Sequence, residues 1–280
     1  MTRSTLKARW FVFIGILLMA SIGLFYVLST DDYTEAKFRT MQDPIANSEN
    51  VNLNGLRELQ ASGGPIVNFP ELKNQLKGKG DVVIVDGITA YHGYINNTPT
   101  TFFGYHRPHP DLRYKLRRLL FTGSMDVNES LVKSESDVAR DYGFGYKNIK
   151  IHSKARSSDE VIDDFVDFID HLAPQTWVHF HCRMGKGRTS IMLVMFDIMH
   201  NAPHVPLDDI VKRQQLLGSE NLFDVAVRKV KKVSHDGGVY TKSSLKNRKT
   251  FIEKFYAFMA QRKAGGIQKW SAWNTATPTS

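Results

Sequence analysis

Thr176 to His200, TWVHFHCRMGKGRTSIMLVMFDIMH, narrows the folding options more than any other stretch of this 280-residue chain. Its first six residues favour an extended backbone, two glycines follow within RMGKG, and Arg188–His200 is apolar on nearly every side. That order reads as a buried strand, a tight loop and a buried helix. GDVVIVDG (Gly80–Gly87) and YKNIKI (Tyr146–Ile151) are two further strand candidates. Between the last two strands, SSDEVIDDFVDFIDHLAP spaces Val161, Ile162, Phe165, Phe168 and Ile169 at helical intervals. Ser157 or Ser158 can cap that helix, acids crowd its first turn, and Pro174 closes it. Helices are also expected at Leu207–Leu217 and Ser243–Arg262. Strand–helix–strand–loop–helix order predicts an α/β fold, a central parallel or mixed sheet flanked by helices.

The N-terminus obeys different rules. After Arg3, Lys7 and Arg9, the run Trp10–Thr30 holds 21 residues without a charge. As a helix rising about 1.5 Å per residue, it just crosses a hydrocarbon core of roughly 30 Å. A cleaved signal peptide shares the basic start, but its apolar core is shorter and ends at a small-residue site that is not evident here. A single anchor, or an uncleaved signal, is therefore expected over residues 1–30, a linker over 31–50 and one domain over 51–275. The basic residues ahead of the span place the N-terminus in the cytoplasm and the domain outside, periplasm-like, or secreted if the leader is cleaved.

Net charge is +9, and the leader supplies three of the basic residues. The excess concentrates between Lys212 and Lys263, with 13 basic against 4 acidic residues, including RKVKK (Arg228–Lys232) and KNRK (Lys246–Lys249). Such a surface suits anionic lipid, a polyphosphorylated small molecule or nucleic acid; no recognition motif supports the last, and no nucleic-acid partner is expected.

Cys182, the chain's single cysteine, closes the strand and opens the glycine loop. Glycines there let the backbone turn with its amide hydrogens inward, and the helix that follows adds its dipole, so the loop is an anion cradle. A thiol in that field is favoured as thiolate. Arg188 can hold two phosphate oxygens at once. The spacing therefore sets a phosphorus atom before a nucleophile: Cys182 attacks, the amides of Arg183, Met184, Gly185, Lys186 and Gly187 with Arg188 stabilise the oxygens, and water cleaves the thiophosphate. Thr189 can donate to the departing thiolate, and His181 can help set the thiol pKa. No metal or other cofactor is required.

His181-Cys182, five residues, then Arg188-Thr189 match the protein-tyrosine-phosphatase signature. WVHFHCRMGKGRTS also resembles the loop of bacterial cysteine phytases, the protein-tyrosine-phosphatase-like inositol polyphosphatases. KFRTMQDP (Lys37–Pro44), VVIVDGITAYHGYINN (Val82–Asn97), DIVKRQQLLG (Asp209–Gly218) and FIEKFYAF (Phe251–Phe258) extend the likeness over about residues 37–275. The resemblance implies a protein-tyrosine-phosphatase-like fold and a deep basic pocket for phosphorylated inositols. Arg183 and Lys186 fit that substrate class independently, adding two cations to the cradle. HCRMGKGRT is similar to the loop of a phosphoinositide 3-phosphatase tumour suppressor, with basic residues at the same two places.

Family members protonate the leaving oxygen with an aspartate roughly thirty residues before the cysteine; here IHSKARSSDE sets Ser153 at that position. Serine is too weak an acid near neutral pH. His152 and Asp159 are the replacement candidates. Lys242 and Lys246 are expected at the pocket rim, Arg213 and Gln214 as water-positioning residues, and Asp86 and His92 as the remaining contacts on a strand that lacks the family's arginine. The expected activity is hydrolysis of inositol polyphosphates. Phosphoinositide lipid or phosphotyrosine hydrolysis, and phosphate binding without turnover, are the alternatives; membrane association is expected through residues 10–30.

Overall fold

The three strands expected from hydropathy pair side by side, and a fourth with no β signature completes a parallel set. The computed structural model describes residues 3–29, 38–46, 50–105, 107, 109–154, 157–226 and 241–277. In chain order these form α1 (Arg3–Ser29), β1 (Arg39–Thr40), β2 (Ala61–Gly64), α2 (Phe69–Gln75), β3 (Val82–Asp86), β4 (Tyr94–Ile95) and β5 (Thr98–Pro99). A 3-10 turn (Thr100–Phe103) leads to α3 (Leu112–Thr122), α4 (Glu135–Asp141), β6 (Gly145–Asn148), α5 (Asp159–Asp170) and β7 (Trp177–His181). Helices α6 (Gly187–Asn201), α7 (Leu207–Leu216), α8 (Lys242–Lys263) and α9 (Trp270–Ala276) follow. The chain falls into two compact units, Met1–Asp32 with Thr100–Leu131 and Tyr33–Pro99 with Val132–Ser280.

In the larger unit the sheet runs β1-β2-β7-β3-β6, with β1 antiparallel and the others parallel. β7 is central, pairing Trp177–His181 with Val82–Asp86 and Val178–His181 with Ala61–Gly64. Parallel strands finish at the same edge, so the loops after Gly64, Asp86, Asn148 and His181 gather there. Both faces of β7 are covered. Val178 and Phe180 enter a core with Phe165, Ile191, Phe255 and Phe258, while Trp177 joins Phe69, Ile84 and Val138 on the other side.

β2 is Ala-Ser-Gly-Gly because α6 lies tight against it: a Cβ on Gly63 would stand 2.7 Å from Leu193 Cδ1 and 2.8 Å from Thr189 Cγ2. The stretch expected as a linker contributes β1 to the sheet edge. RKVKK, Arg228–Lys232, lies outside the described residues.

In the smaller unit, Arg9–Ser29 of α1 has a mean hydropathy of 2.6 and is long and apolar enough to cross a membrane. α3 starts where Asp111 accepts the Tyr114 N–H at 3.3 Å and stops at Gly123, whose φ of 76° is the left-handed C-terminal conformation.

Candidate phosphate-binding active site

The loop between β7 and α6 closes around a sulfur. Cys182 is buried, and Thr189 Oγ1 donates to its Sγ at 3.2 Å. The backbone N–H groups of Met184 and Thr189 donate to the same atom. Burial alone pushes this thiol up, but the charge of Arg188, the Thr189 hydroxyl and the two amides outweigh it and hold the pKa below the ordinary thiol value. Arg188, at the start of α6, donates from Nη1 to Gly87 O at 3.0 Å, fixing it against the loop after β3. Gly185 adopts a φ of 66°, and a Cβ there would stand 2.5 Å from Pro65 N, a backbone atom that cannot yield. The loop thus requires glycine at this position. Arg183 is buried, and its carbonyl accepts the Ile66 N–H at 3.4 Å.

Beneath the loop lies Arg39 of β1, a residue that sequence reasoning quoted only within KFRTMQDP. Its Nη1 donates to Gly185 O at 3.1 Å, Nη2 to Ser190 Oγ at 3.4 Å and Nε to Ser219 Oγ at 3.1 Å. One guanidinium therefore ties the loop, α6 and the chain after α7 together. Its burial lowers the pKa to about 10, against the pull of the Cys182 and Glu220 charges.

Behind the cysteine is a buried network that spacing could not reveal. His181 Nε2 stands 3.0 Å from Glu135 Oε1 and 3.6 Å from Asp86 Oδ1. His92 Nε2 lies 2.5 Å from Glu135 Oε2 and 3.2 Å from Asp86 Oδ2. Burial opposes charge on both rings, but the two carboxylates prevail: His181 is raised, and His92 is pushed up to about 10. Asp86 is likewise disfavoured as an anion by burial, yet its histidine partners and the Ile88 N–H lower it to about 2; Glu135 also moves down, led by His181. The two carboxylates thus favour the protonated form of His181, the residue next in sequence to Cys182. The stacked neighbour His179 goes the other way, lowered by burial first and then by the charges of His181 and Arg39.

Asp86, Glu135 and His181 offer ligand atoms within 4.8 Å of one another, a spacing that suits a cation. Their oxygens are already met by proton donors. Tyr146 OH and Asn148 Nδ2 reach Asp86 Oδ2 at 2.9 and 2.6 Å, and Tyr94 OH reaches Glu135 Oε1 at 3.3 Å. The arrangement is a proton-rich cluster rather than a cation cage. Asp86 and His92, expected as substrate contacts, belong to it.

Other expectations meet the structure with mixed results. Both oxygens of Asp159 hold α9: Oδ1 accepts from Trp270 Nε1 at 2.7 Å, and Asn274 Nδ2 reaches Oδ1 and Oδ2 at 3.1 and 3.3 Å. That engagement gives this acid candidate a structural task instead. His152 and Ser153 sit in the loop after β6, at the sheet edge where Cys182 lies. Nδ1 of His152 accepts the Lys154 N–H at 3.2 Å. Lys242 and Lys246 are exposed on the first turns of α8. Arg213 and Gln214, expected to position water, are buried against Asp197: Arg213 Nε and Gln214 Nε2 reach Oδ2 at 2.9 and 2.8 Å. Two surface clefts of about 640 and 530 Å³, one along α7 and one beside Trp177, include no loop residue.

The model of the PTP-like phytase family, described as inositol hexakisphosphate, matches residues 120–200. An uncharacterized protein of Xanthomonas campestris pv. campestris, AvrBs1.1, is 37% identical over 103 residues, covering 36% of this chain and 91% of its own. Effector protein hopD2 of Pseudomonas syringae pv. tomato is 26% identical over 144 residues, 51% of this chain and 29% of its own. Among solved structures, the PTP-like myo-inositol phosphatase of Mitsuokella multacida, in complex with myo-inositol-(1,3,4,5)-tetrakisphosphate, aligns with a TM-score of 0.67 at 22% identity. The alignment covers 89% of this chain and 47% of that one, so this chain spans about half its length. A PTP-like phytase from Bdellovibrio bacteriovorus aligns with a TM-score of 0.58 at 21% identity, over 87% and 96% of the two chains. The fold is therefore that of the PTP-like phytases, the family match takes in the whole Cys182–Arg188 loop, and the chain belongs to the PTP-like phytase family.

Proposed function

We propose that this protein is a cysteine-dependent phosphomonoesterase that removes phosphate from inositol polyphosphates through a phosphocysteine intermediate. The observation that carries the reading is the position of Cys182 Sγ, held by the Thr189 hydroxyl and two loop amides under the charge of Arg188. A thiolate so placed attacks a phosphoryl group seated in the loop, and Arg188 with the inward amides compensates the charge on its oxygens. Thr189 donates to the sulfur as it departs when water cleaves the intermediate. Arg183 and Lys186 add charge to the same cradle, which suits a ring bearing several phosphates. The inositol tetrakisphosphate bound by the Mitsuokella enzyme supports that class. Lys242 and Lys246 remain the proposed outer contacts, and His152 the proposed acid. The domain is proposed to be held at a membrane by α1, or exported through it.

One observation favours a second reading. Ser153 occupies the expected acid position, and Asp159 is engaged with α9. A protein that captures phosphorylated inositols without turnover fits that pairing. Phosphate release from inositol hexakisphosphate, scanned from about pH 4 to 8 beside Cys182→Ser, separates the two. Release by the native chain that vanishes in the variant supports the enzyme. Binding without release by both supports capture. Release from phosphoinositides or phosphotyrosine alone moves the substrate class.

A further inference from the structure

Helix α3 is inside out. Its inner face carries Tyr114, Arg117 and Arg118, each no more than 2% exposed, whereas Leu112, Leu119 and Leu120 are 41–66% exposed on the outside. A helix on a water-facing surface arranges these types in the opposite sense. The apolar exposure continues along the chain through Met125, Val127 and Leu131.

The inward arginines have specific work. Arg118 Nε donates to Phe103 O at 2.9 Å and Nη1 to Met125 O at 3.0 Å, closing the turns on both sides of the helix. Arg117 stacks on Phe102, with its guanidinium carbon 4.3 Å from the ring centroid, and its Nε donates to Leu28 O at 2.5 Å. That carbonyl belongs to the last turn of α1. The inverted helix is thereby fastened to the C-terminal end of the one described segment that can cross a bilayer. α1 itself exposes apolar side chains all round, from Phe11 and Met19 to Val27, so it has no single stripe to bury against protein.

We propose that α3 and the chain to Leu131 form a bilayer-docking surface, lying in the interface of the membrane that α1 spans. The leucines enter the acyl region, and exposed Lys115 reaches back to lipid phosphates. The partner is a lipid surface entered through these apolar side chains, since exposed Asp111, Asp126 and Glu129 offset the charge of Lys115. This rests on the reading of α1 as an anchor, and the test keeps the two apart.

The chain's single cysteine makes labelling direct. In a Cys182→Ser background, Leu120→Cys, Ile16→Cys and Tyr91→Cys each carry an environment-sensitive fluorophore on the full chain. The chains are reconstituted into vesicles of equal parts phosphatidylcholine and phosphatidylglycerol, with and without brominated acyl chains. Quenching at position 120 is expected to exceed that at position 91 by about twofold or more, approaching that at position 16. Quenching at 16 with position 120 no better quenched than 91 overturns the docking surface and leaves the anchor standing. No quenching at 16 removes the anchor and the inference with it. A fluorophore at 120 that is shielded from water but insensitive to bromine shows that protein, such as a second copy, covers the face, and this too overturns the proposal. Leu119→Lys with Leu120→Lys should reduce quenching of a fluorophore at Met125→Cys while that at position 16 is unchanged.

Discussion

Two buried charge clusters in the larger unit use similar residue types to different ends. On α6 and α7, Asp197 is paired with Arg213 and Gln214, and Arg213 also donates to Asn52 O and Asn54 O at 3.0 and 2.9 Å. Arg213 is thus locked to a carboxylate at one end and to two backbone carbonyls at the other. Behind the loop, two carboxylates are paired instead with imidazoles, whose charge depends on pH and neighbours. The first cluster fastens α6, α7 and the chain at Asn52 and Asn54 together. The second is expected to bear on the thiol as well, because one of its imidazoles belongs to the residue next to Cys182.

Breaking the clamp should have the largest effect on the fold. Arg213→Met strands Asp197 in the core and is expected to cost about 3–5 kcal/mol, read from urea denaturation. The pH dependence of Cys182 alkylation in the folded fraction should not move. Glu135→Gln should reverse the pattern, since the imidazoles can shed their charge. Stability falls less, and iodoacetamide alkylation near neutral pH slows by up to about tenfold as the thiol pKa rises by about a unit. Equal alkylation rates would make the second cluster a fastening too.

The pH dependence of stability sharpens the contrast. His92 is raised from 6.5 to about 10, so its contribution is complete below 6.5 and is lost as pH climbs through 10. Asp86 is lowered from 3.8 to about 2, so its contribution holds above 3.8 and is lost as pH falls through 2. The urea midpoint should therefore decline between pH 6.5 and 10, and His92→Gln should flatten that decline while Arg213→Met leaves its slope intact. The smallest effect is expected at the periphery. Asp159→Asn should cost about 1 kcal/mol of stability through weaker bonds to α9 and leave phosphate release within about twofold, whereas a loss of about a hundredfold or more would return it to the acid role.

The sequence showed the strands and helices whose side chains have one task. Val178, Phe180, Phe165 and Ile169 pack a core, so their periodicity was legible. β2 was not, because its small residues answer to Thr189 and Leu193 on α6, about 130 positions away. Cys182, Arg188 and Thr189 were legible because a loop and a helix start are local constructions. Glu135 and Arg39 reach the same site through tertiary packing, and no spacing rule connects them to it. Asp159 shows the converse. An acid in a first helical turn looks available until the helix that binds it is placed.

A buried sulfur whose pKa lies below the ordinary thiol value, in a chain with one cysteine, also bears on how this protein meets oxidants. Peroxide converts its thiolate form to sulfenic acid, and rescue ordinarily begins with a second thiol that traps it as a disulfide. This chain has no second thiol to offer. Recovery after oxidation depends on an outside donor or on the loop's own amide nitrogens, and prolonged exposure leads on to the sulfinic acid.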